Sequence, residues 1–182
     1  NYCGTEPVSL NKVTVLYNGT FYPVLFGRGR EAVIDVGGKI VSDPLNISVR
    51  EDEVVQVSFY LKDFTLMRSV VFACGPLSEG LYANGDETET LHIDLNTSRK
   101  THLFYFLSNV SVYTEKKNRT VICYGDSITA QDWPDYLSLR CKEEGYNNTA
   151  IIRRATSGSR ILREYHCTTY ESYGLKGDHR FP

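Results

Sequence analysis

A serine stands directly after an apolar, strand-like run in the stretch VICYGDSITAQDWPDYL, residues 121–137. Gly125 allows the backbone to turn sharply after the run TVICY (120–124), and Asp126 and Ser127 follow it. A hydroxyl at the carboxyl end of a strand lies where open α/β sheets bind their ligands. The turn also leads toward a helix-like segment, and free N–H groups at a helix N-terminus can stabilise an oxyanion. The pattern predicts that Ser127 is a nucleophile; a turn without chemistry is the alternative.

A second strand end predicts a partner for this serine. The run TAIIRRA (149–155) is followed by Ser157 and Gly158, in the place equivalent to the turn after the first strand. The bare backbone N–H of Gly158 could approach a substrate oxygen closely. Two neighbouring strand ends would then supply a nucleophile and a hydrogen-bond donor to one crevice.

A serine nucleophile needs a base, which is normally a histidine oriented by a carboxylate. The chain has four histidines, and we expect none of them to be this base: His92, His102, His166 and His179. The first two fall in the β-rich region and are expected to be ordinary strand residues. Neither of the others comes from a later strand end, from which a base would approach Ser127. No His or carboxylate cluster has metal-ligand spacing, so we expect no metal.

The segment between the two strands has the features of a helix. Asp132 can cap it, Pro134 suits its first turn, and Gly145 can end it. The i, i+4, i+8 positions hold Trp133, Leu137 and Cys141, which predicts an apolar stripe facing a core. The order strand, helix, strand predicts two parallel strands joined by a right-handed crossover.

Residues 1–115 have a different pattern, of β-branched and aromatic runs separated by Gly, Asn, Asp and Pro. In the run VVQVSFYL, apolar and polar residues alternate, which is typical of a half-buried antiparallel strand. Seven runs without a clear helix predict a β-sandwich or jelly-roll layer. These runs are 12–17, 20–26, 31–36, 54–61, 69–75, 90–95 and 102–113. The polar segment TEKKNR (114–119) then reads as a linker.

Composition excludes several classes of function. The net charge is −2 and the pI is about 6.1, so no basic surplus favours nucleic acid or an anionic membrane as partner. No apolar run is long enough for a membrane-spanning helix. The five cysteines are scattered, without a C-x-x-C pair, which argues against a disulfide framework and slightly favours a cytoplasmic location. The oligomeric state is left open.

Six of the ten asparagines lie in N-x-S/T sequons, namely Asn18, Asn46, Asn96, Asn109, Asn118 and Asn147. Glycosylation of these residues would require a surface position and a secretory route. The alternative is that Asn and Thr are simply common in turns and at strand ends. The sequons keep a secreted location open.

The stretches YGDSIT, WPDYL and TSGSRIL together resemble the first two conserved blocks of the GDSL or SGNH hydrolases. Segments such as NYCGTEPVSL and ANGDETE resemble a β-sandwich module that precedes the hydrolase domain in one branch. The resemblance implies a jelly-roll-like β-sandwich at 1–115 and the start of a flavodoxin-like, three-layer α/β SGNH domain at 119–182. It implies that Ser127 is the nucleophile and one oxyanion donor, that Gly158 is the second donor, and that Gly125 and Asp126 form the nucleophile turn.

The chain also departs from this family. It contains neither the G-x-N-D of block III nor the D-x-x-H of block V, which supply the third oxyanion donor, the acid and the base. Ala130-Gln131 replaces an Asp-Gly that is often found in block I. We therefore expect an internal fragment of a longer hydrolase, nearly inactive by itself.

The resulting expectation is a serine ester hydrolase that acts on small acyl esters, such as an acetyl group on a carbohydrate. Ser127 would attack the acyl carbonyl and form an acyl-enzyme, and this chemistry requires no cofactor. Two alternatives remain. One is a non-catalytic carbohydrate-binding or interaction module with a vestigial hydrolase part. The other is a segment with no independent function, whose unfinished parallel sheet leaves strand edges open to association.

Overall fold

The computed structural model describes residues 6–64, 71–72 and 75–157, in which the regular elements are short strands and one helix. The helix, α1, spans Trp133–Glu143. The eleven strands are β1 (Val8–Leu10), β2 (Lys12–Tyr17), β3 (Thr20–Pro23), β4 (Ala32–Ile34), β5 (Gln56–Tyr60), β6 (Val71–Phe72), β7 (Gly80–Tyr82), β8 (Arg99–Thr101), β9 (Leu103–Phe104), β10 (Arg119–Gly125) and β11 (Thr149–Ala155).

Contacts within the chain divide it into two compact units. The first comprises residues 1–69 and 81–99, and the second comprises residues 70–80 and 100–182. The expected boundaries at 115 and 119 remain a prediction about the folding units of the chain.

The first unit is built around the antiparallel sheet β3-β2-β5, with β1 and β4 as a separate antiparallel pair. Strand β2 lies in the middle of its sheet, and its residues Val13, Thr14, Val15 and Tyr17 are buried. The predicted strand at 12–17 is therefore confirmed. Strand β5 confirms the antiparallel strand expected in VVQVSFYL, but all five of its residues are half-buried, so burial does not alternate there.

The hairpin between β2 and β3 shows why this sheet forms locally. Tyr17 pairs with Thr20, which leaves Asn18 and Gly19 as a two-residue loop. Both loop residues have positive φ, +48° and +73°. Asn-Gly is the pair that favours this mirror-image turn, whose twist matches the twist of the flanking strands.

Two predicted strands of the N-terminal region are absent or much shorter. Residues 90–95 form no strand, because the Asp94 carboxylate accepts the Asn96 N–H (2.8 Å) and its carbonyl accepts the Ser98 N–H (3.0 Å). These local bonds compete with a sheet ladder. Of the run 102–113, only β9 is a strand, since Phe106 adopts a left-handed φ of +71° that ends it. A β-rich region is thus confirmed, in small sheets.

The second unit contains the parallel pair β10–β11, in the register Gly125 with Ala155. Helix α1 connects the two strands and packs against β11, so the predicted strand–helix–strand unit is confirmed. Its carboxyl end is closed by two bonds, from the Gly145 N–H to the Lys142 carbonyl and from the Tyr146 N–H to the Cys141 carbonyl. Gly145 has a φ of +82°, as this capping motif requires.

Three details of the helix and its strand differ from prediction. Asp132 occupies the position before the helix, but its backbone is already helical and its side chain makes no capping hydrogen bond. Trp133 is 41% exposed rather than part of a core stripe, and the buried helical residue is Pro134. The expected buried strand at 120–124 has only Cys123 buried, because α1 covers one face of the pair. In the described part of the chain, no helix is long and apolar enough to cross a membrane.

Candidate active site

The ends of β10 and β11 lie side by side, as the sequence predicts. The Thr156 N–H donates to the Gly125 carbonyl (3.0 Å), which extends the parallel ladder beyond the last paired residues. The residues that follow each strand therefore leave the sheet at the same edge. Ser127 and Ser157 are both exposed there. Gly158 lies outside the described residues, as do His166 and His179, so their predicted roles remain predictions.

Local hydrogen bonds hold the turn that contains Ser127. The carboxylate of Asp126 accepts the Ile128 N–H (2.9 Å), and its carbonyl accepts the Ala130 N–H (2.9 Å). This side-chain-to-backbone bond is the common way for Asp to fix a turn. Asp126 thereby fixes the backbone of the turn in which the exposed Ser127 lies. Helix α1 begins six positions after Ser127, at Trp133, so Ser127 is not at its N-terminus.

Gly125 is required by a close approach and not by its backbone angle. Its φ is not in the positive range where glycine is favoured. A Cβ at this position would lie 2.7 Å from the Cβ of Thr129 and even closer to the Thr129 hydroxyl. Thr129 is buried and folds back against the end of β10. Steric contact, rather than the expected sharp turn, explains the glycine.

A largely buried ion pair supports the turn that contains Ser127, and no sequence pattern predicted this pair. Arg153 on β11 contacts Asp135 in the first turn of α1, with 2.7 Å between Nη2 and Oδ1. The two side chains are 19% and 16% exposed. Arg153 Nη1 also donates to the carbonyl of Ala130 (3.4 Å). Gly75 approaches Asp135 so closely that a Cβ there would lie 2.9 Å from the Asp135 Cγ. One arginine thus links the strand, the helix and the serine turn.

Cys123 is the other potential nucleophile near this edge. Its side chain is buried on β10, and burial raises the pKa of the thiol above its ordinary value, an effect that the Arg153 charge partly opposes. A thiol with a raised pKa stays protonated near neutral pH and is a poor nucleophile. Ser127 is exposed, so of these two potential nucleophiles it is the one that a substrate can reach.

The two described histidines are both exposed and neither lies within a strand. His92 is in a bend that follows a turn at residues 88–89, and His102 lies between β8 and β9. The expectation that His92 and His102 lie in strands is therefore wrong. Within residues 6–64, 71–72 and 75–157, no three His, Cys, Asp or Glu side chains form a group that could hold a metal ion.

Comparison of the sequence with known proteins identifies no family for this chain. No protein-family model matches the sequence, and no curated protein matches it either. A function for this chain must therefore be inferred from the described turn and its two strands.

Proposed function

We propose that this protein is a serine ester hydrolase of the GDSL or SGNH type. The observation that supports the proposal is an exposed serine at the carboxyl end of β10, in a fixed turn beside the end of the parallel strand β11. Ligands of open α/β sheets bind at such strand ends. The motif YGDSIT contributes the resemblance to the family.

In the proposed reaction, the Ser127 oxygen forms an ester with the acyl carbon, and the alcohol leaves with the proton of the Ser127 hydroxyl. Water then hydrolyses this ester, which releases the carboxylic acid and restores the hydroxyl. The oxyanion donors are assigned to the N–H groups of Ser127 and Gly158, as the resemblance implies. The Ile128 N–H is not a candidate, because it donates to the Asp126 carboxylate. The substrate is a small acyl ester, with a carbohydrate acetyl ester as the favoured example. No cofactor takes part.

The finer architecture is part of the same proposal. The small antiparallel sheets of the N-terminal region are assigned to a jelly-roll-like β-sandwich module. The parallel pair and α1 are assigned to the start of a three-layer α/β domain. A parallel sheet with helices on both faces would cover the strand residues that α1 leaves exposed.

A carbohydrate-binding module is the second candidate, and exposed aromatic side chains favour it. Phe64 is 93% exposed, and Tyr82 is also exposed. Exposed aromatic rings are common at recognition surfaces. Oligosaccharide binding that survives Ser127→Ala and is lost in Phe64→Ala would favour this candidate over the esterase.

The test is ester hydrolysis by the protein made from its complete reading frame. With p-nitrophenyl acetate as substrate, we expect Ser127→Ala to lower kcat/KM by about 10³-fold or more. Ser42→Ala, which changes another exposed serine, should keep the parent rate. Mass spectrometry of the intact protein should show one added acetyl group at early times, which Ser127→Ala should lack. Equal rates for Ser127→Ala and the parent would reject the proposal.

The 182-residue chain supplies a further comparison. It contains no D-x-x-H motif, so the residues that supply the acid and the base in the family are absent from its sequence. We expect nearly no turnover from this chain alone. Turnover that disappears in Ser127→Ala would mean that one of the four histidines acts as the base.

A further inference from the structure

We propose that the sequon asparagines of this protein are sites of N-linked glycosylation. Six of the ten asparagines lie in sequons, whereas Ser and Thr make up about a sixth of the chain, so chance would place about two there. All six side chains are exposed: Asn18, Asn46, Asn96, Asn109, Asn118 and Asn147. Turn preference explains why these asparagines are exposed, but the number of them with Ser or Thr two positions later exceeds what the composition alone gives. This proposal is independent of the esterase proposal.

Asn109 has the geometry best suited to the modification. Its Nδ2 donates to the Ser111 hydroxyl at 2.7 Å, and both residues are exposed. The amide to be modified and the hydroxyl that defines the sequon are therefore presented together, in a segment without regular structure. The amide nitrogen would form a bond to the anomeric carbon of a lipid-pyrophosphate-linked oligosaccharide. The lipid pyrophosphate leaves with the bonding electron pair, and the amide gives up one proton.

The surroundings of Asn109 supply a reason for a glycan there. Val110, Val112 and Tyr113 are large apolar side chains on the same short segment, and Tyr113 is 91% exposed. Contiguous exposed apolar surface favours association with other molecules. A bulky, solubilising glycan at Asn109 would cover this segment.

The other sequons differ in how accessible the Asn amide and the Ser or Thr hydroxyl are. Asn18 lies at the tip of the β2–β3 hairpin, where its Nδ2 makes only a long hydrogen bond to Glu53 (3.5 Å), and Thr20 is exposed at the start of β3. Asn96 is the least open, because its Nδ2 donates to Asp94 (2.9 Å) and the Ser98 hydroxyl is buried. We therefore expect the lowest occupancy at Asn96.

The test is site mapping on the protein isolated from the cells that make it. Peptide N-glycosidase in heavy-oxygen water converts each glycosylated Asn into a labelled Asp. We expect enzyme-dependent label at the sequon sites, with Asn18 and Asn109 among them. Asn84 is a matched control for spontaneous deamidation, since Asn18 and Asn84 both precede glycine and only Asn18 is in a sequon. No label at any sequon, or equal label at Asn18 and Asn84, would overturn the proposal.

A second measurement examines Asn109 by itself, in the full chain secreted from a eukaryotic cell. Ser111→Ala should remove one glycan-sized step in gel mobility, whereas Ser111→Thr keeps the sequon and should keep the step. Ser111→Ala should also increase binding of a hydrophobic dye, because the apolar segment is uncovered. Identical mobility of the two variants would exclude Asn109 as a site.

Discussion

Gly125 illustrates how one residue determines the shape of the candidate site. The end of β10 and the buried side chain of Thr129 touch at this position, and a hydrogen is all that fits between them. The constraint is invisible in the sequence, where the glycine reads as a flexible turn residue. Ser127 lies two positions later, so a displacement of the turn would also move the proposed nucleophile.

We expect Gly125→Ala to lower the free energy of unfolding by about 1–3 kcal/mol, because the added methyl group overpacks the turn. Urea unfolding of the two proteins measures this difference. Gly29→Ala is a matched control, since a Cβ there would meet only backbone oxygens at 3.5 Å and 3.8 Å and φ is not positive. Its free energy of unfolding should change by about 0.5 kcal/mol or less. Equal losses in the two variants would contradict the role given to Thr129.

Tyr17 controls the titration of a carboxylate in the first unit. Its hydroxyl donates to Glu53 and accepts the Arg50 N–H (3.0 Å). The hydrogen bond from Tyr17 is the largest cause that lowers the pKa of Glu53 below its ordinary value of 4.5. A lowered folded-state pKa contributes stability above the unfolded pKa, and this contribution is lost as the pH falls through the folded pKa.

We expect Tyr17→Phe to raise the pKa of Glu53 toward 4.5, and to reduce the loss of stability on acidification below about pH 4.5. An NMR titration of the side-chain carboxyl carbons measures the pKa. Glu79 is the control, because its pKa is lowered by its hydrogen bond from Lys100, which the substitution leaves in place. An unchanged Glu53 pKa would show that the Tyr17 hydroxyl is not its main partner in solution.

At the scale of elements, the strands predicted best are those whose apolar pattern agrees with the hydrogen bonds that they make to a neighbouring strand. Strands β2 and β11 have the predicted bounds, 12–17 and 149–155, and Gly145 ends α1 as expected. The run 90–95 has an equally good pattern, but the Asp94 turn competes locally and forms instead. Long-range contacts are also missing from a pattern, which is why the Arg153–Asp135 pair was not predicted.

The Arg153–Asp135 pair should be one of the stronger side-chain interactions of the second unit. Its two side chains are 19% and 16% exposed, so the removal of either partner leaves a largely buried charge. We expect Arg153→Met to lower the free energy of unfolding by about 2–3 kcal/mol, and Arg153→Met with Asp135→Leu to lose less than the two single variants together. The double-mutant cycle in urea measures this coupling.

Arg140 provides the matched control for this cycle. It pairs with Glu144 at 2.5 Å on the same helix, but the side chains are 68% and 52% exposed. Solvent screening should limit the effect of Arg140→Met to about 0–1 kcal/mol. Similar losses for Arg140→Met and Arg153→Met would mean that burial does not set the strength of the Arg153 pair.

At the scale of the whole molecule, the chain carries a small net charge and has many exposed apolar side chains. The net charge is only −2 and the pI is about 6.1. Ile122 and Tyr124 lie on the same face of β10 and are both exposed, whereas Cys123 on the opposite face is buried. Because charge repulsion nearly vanishes near the pI, attraction between apolar surfaces should dominate there.

We expect the unglycosylated 182-residue chain, in which this face of β10 is exposed, to be least soluble near pH 6.1, and Ile122→Thr with Tyr124→Thr to reduce its self-association there. Threonine retains a high preference for strands, so the free energy of unfolding should change by no more than about 0.5 kcal/mol. Ile151→Thr is the control, because Ile151 is half-buried on the opposite face of the pair and its loss should destabilise the fold. Light scattering from about pH 5 to about pH 8 measures association, and urea unfolding measures stability. Unchanged scattering in the double variant would mean that another surface drives association, and the segment around Asn109 is then the next one to substitute.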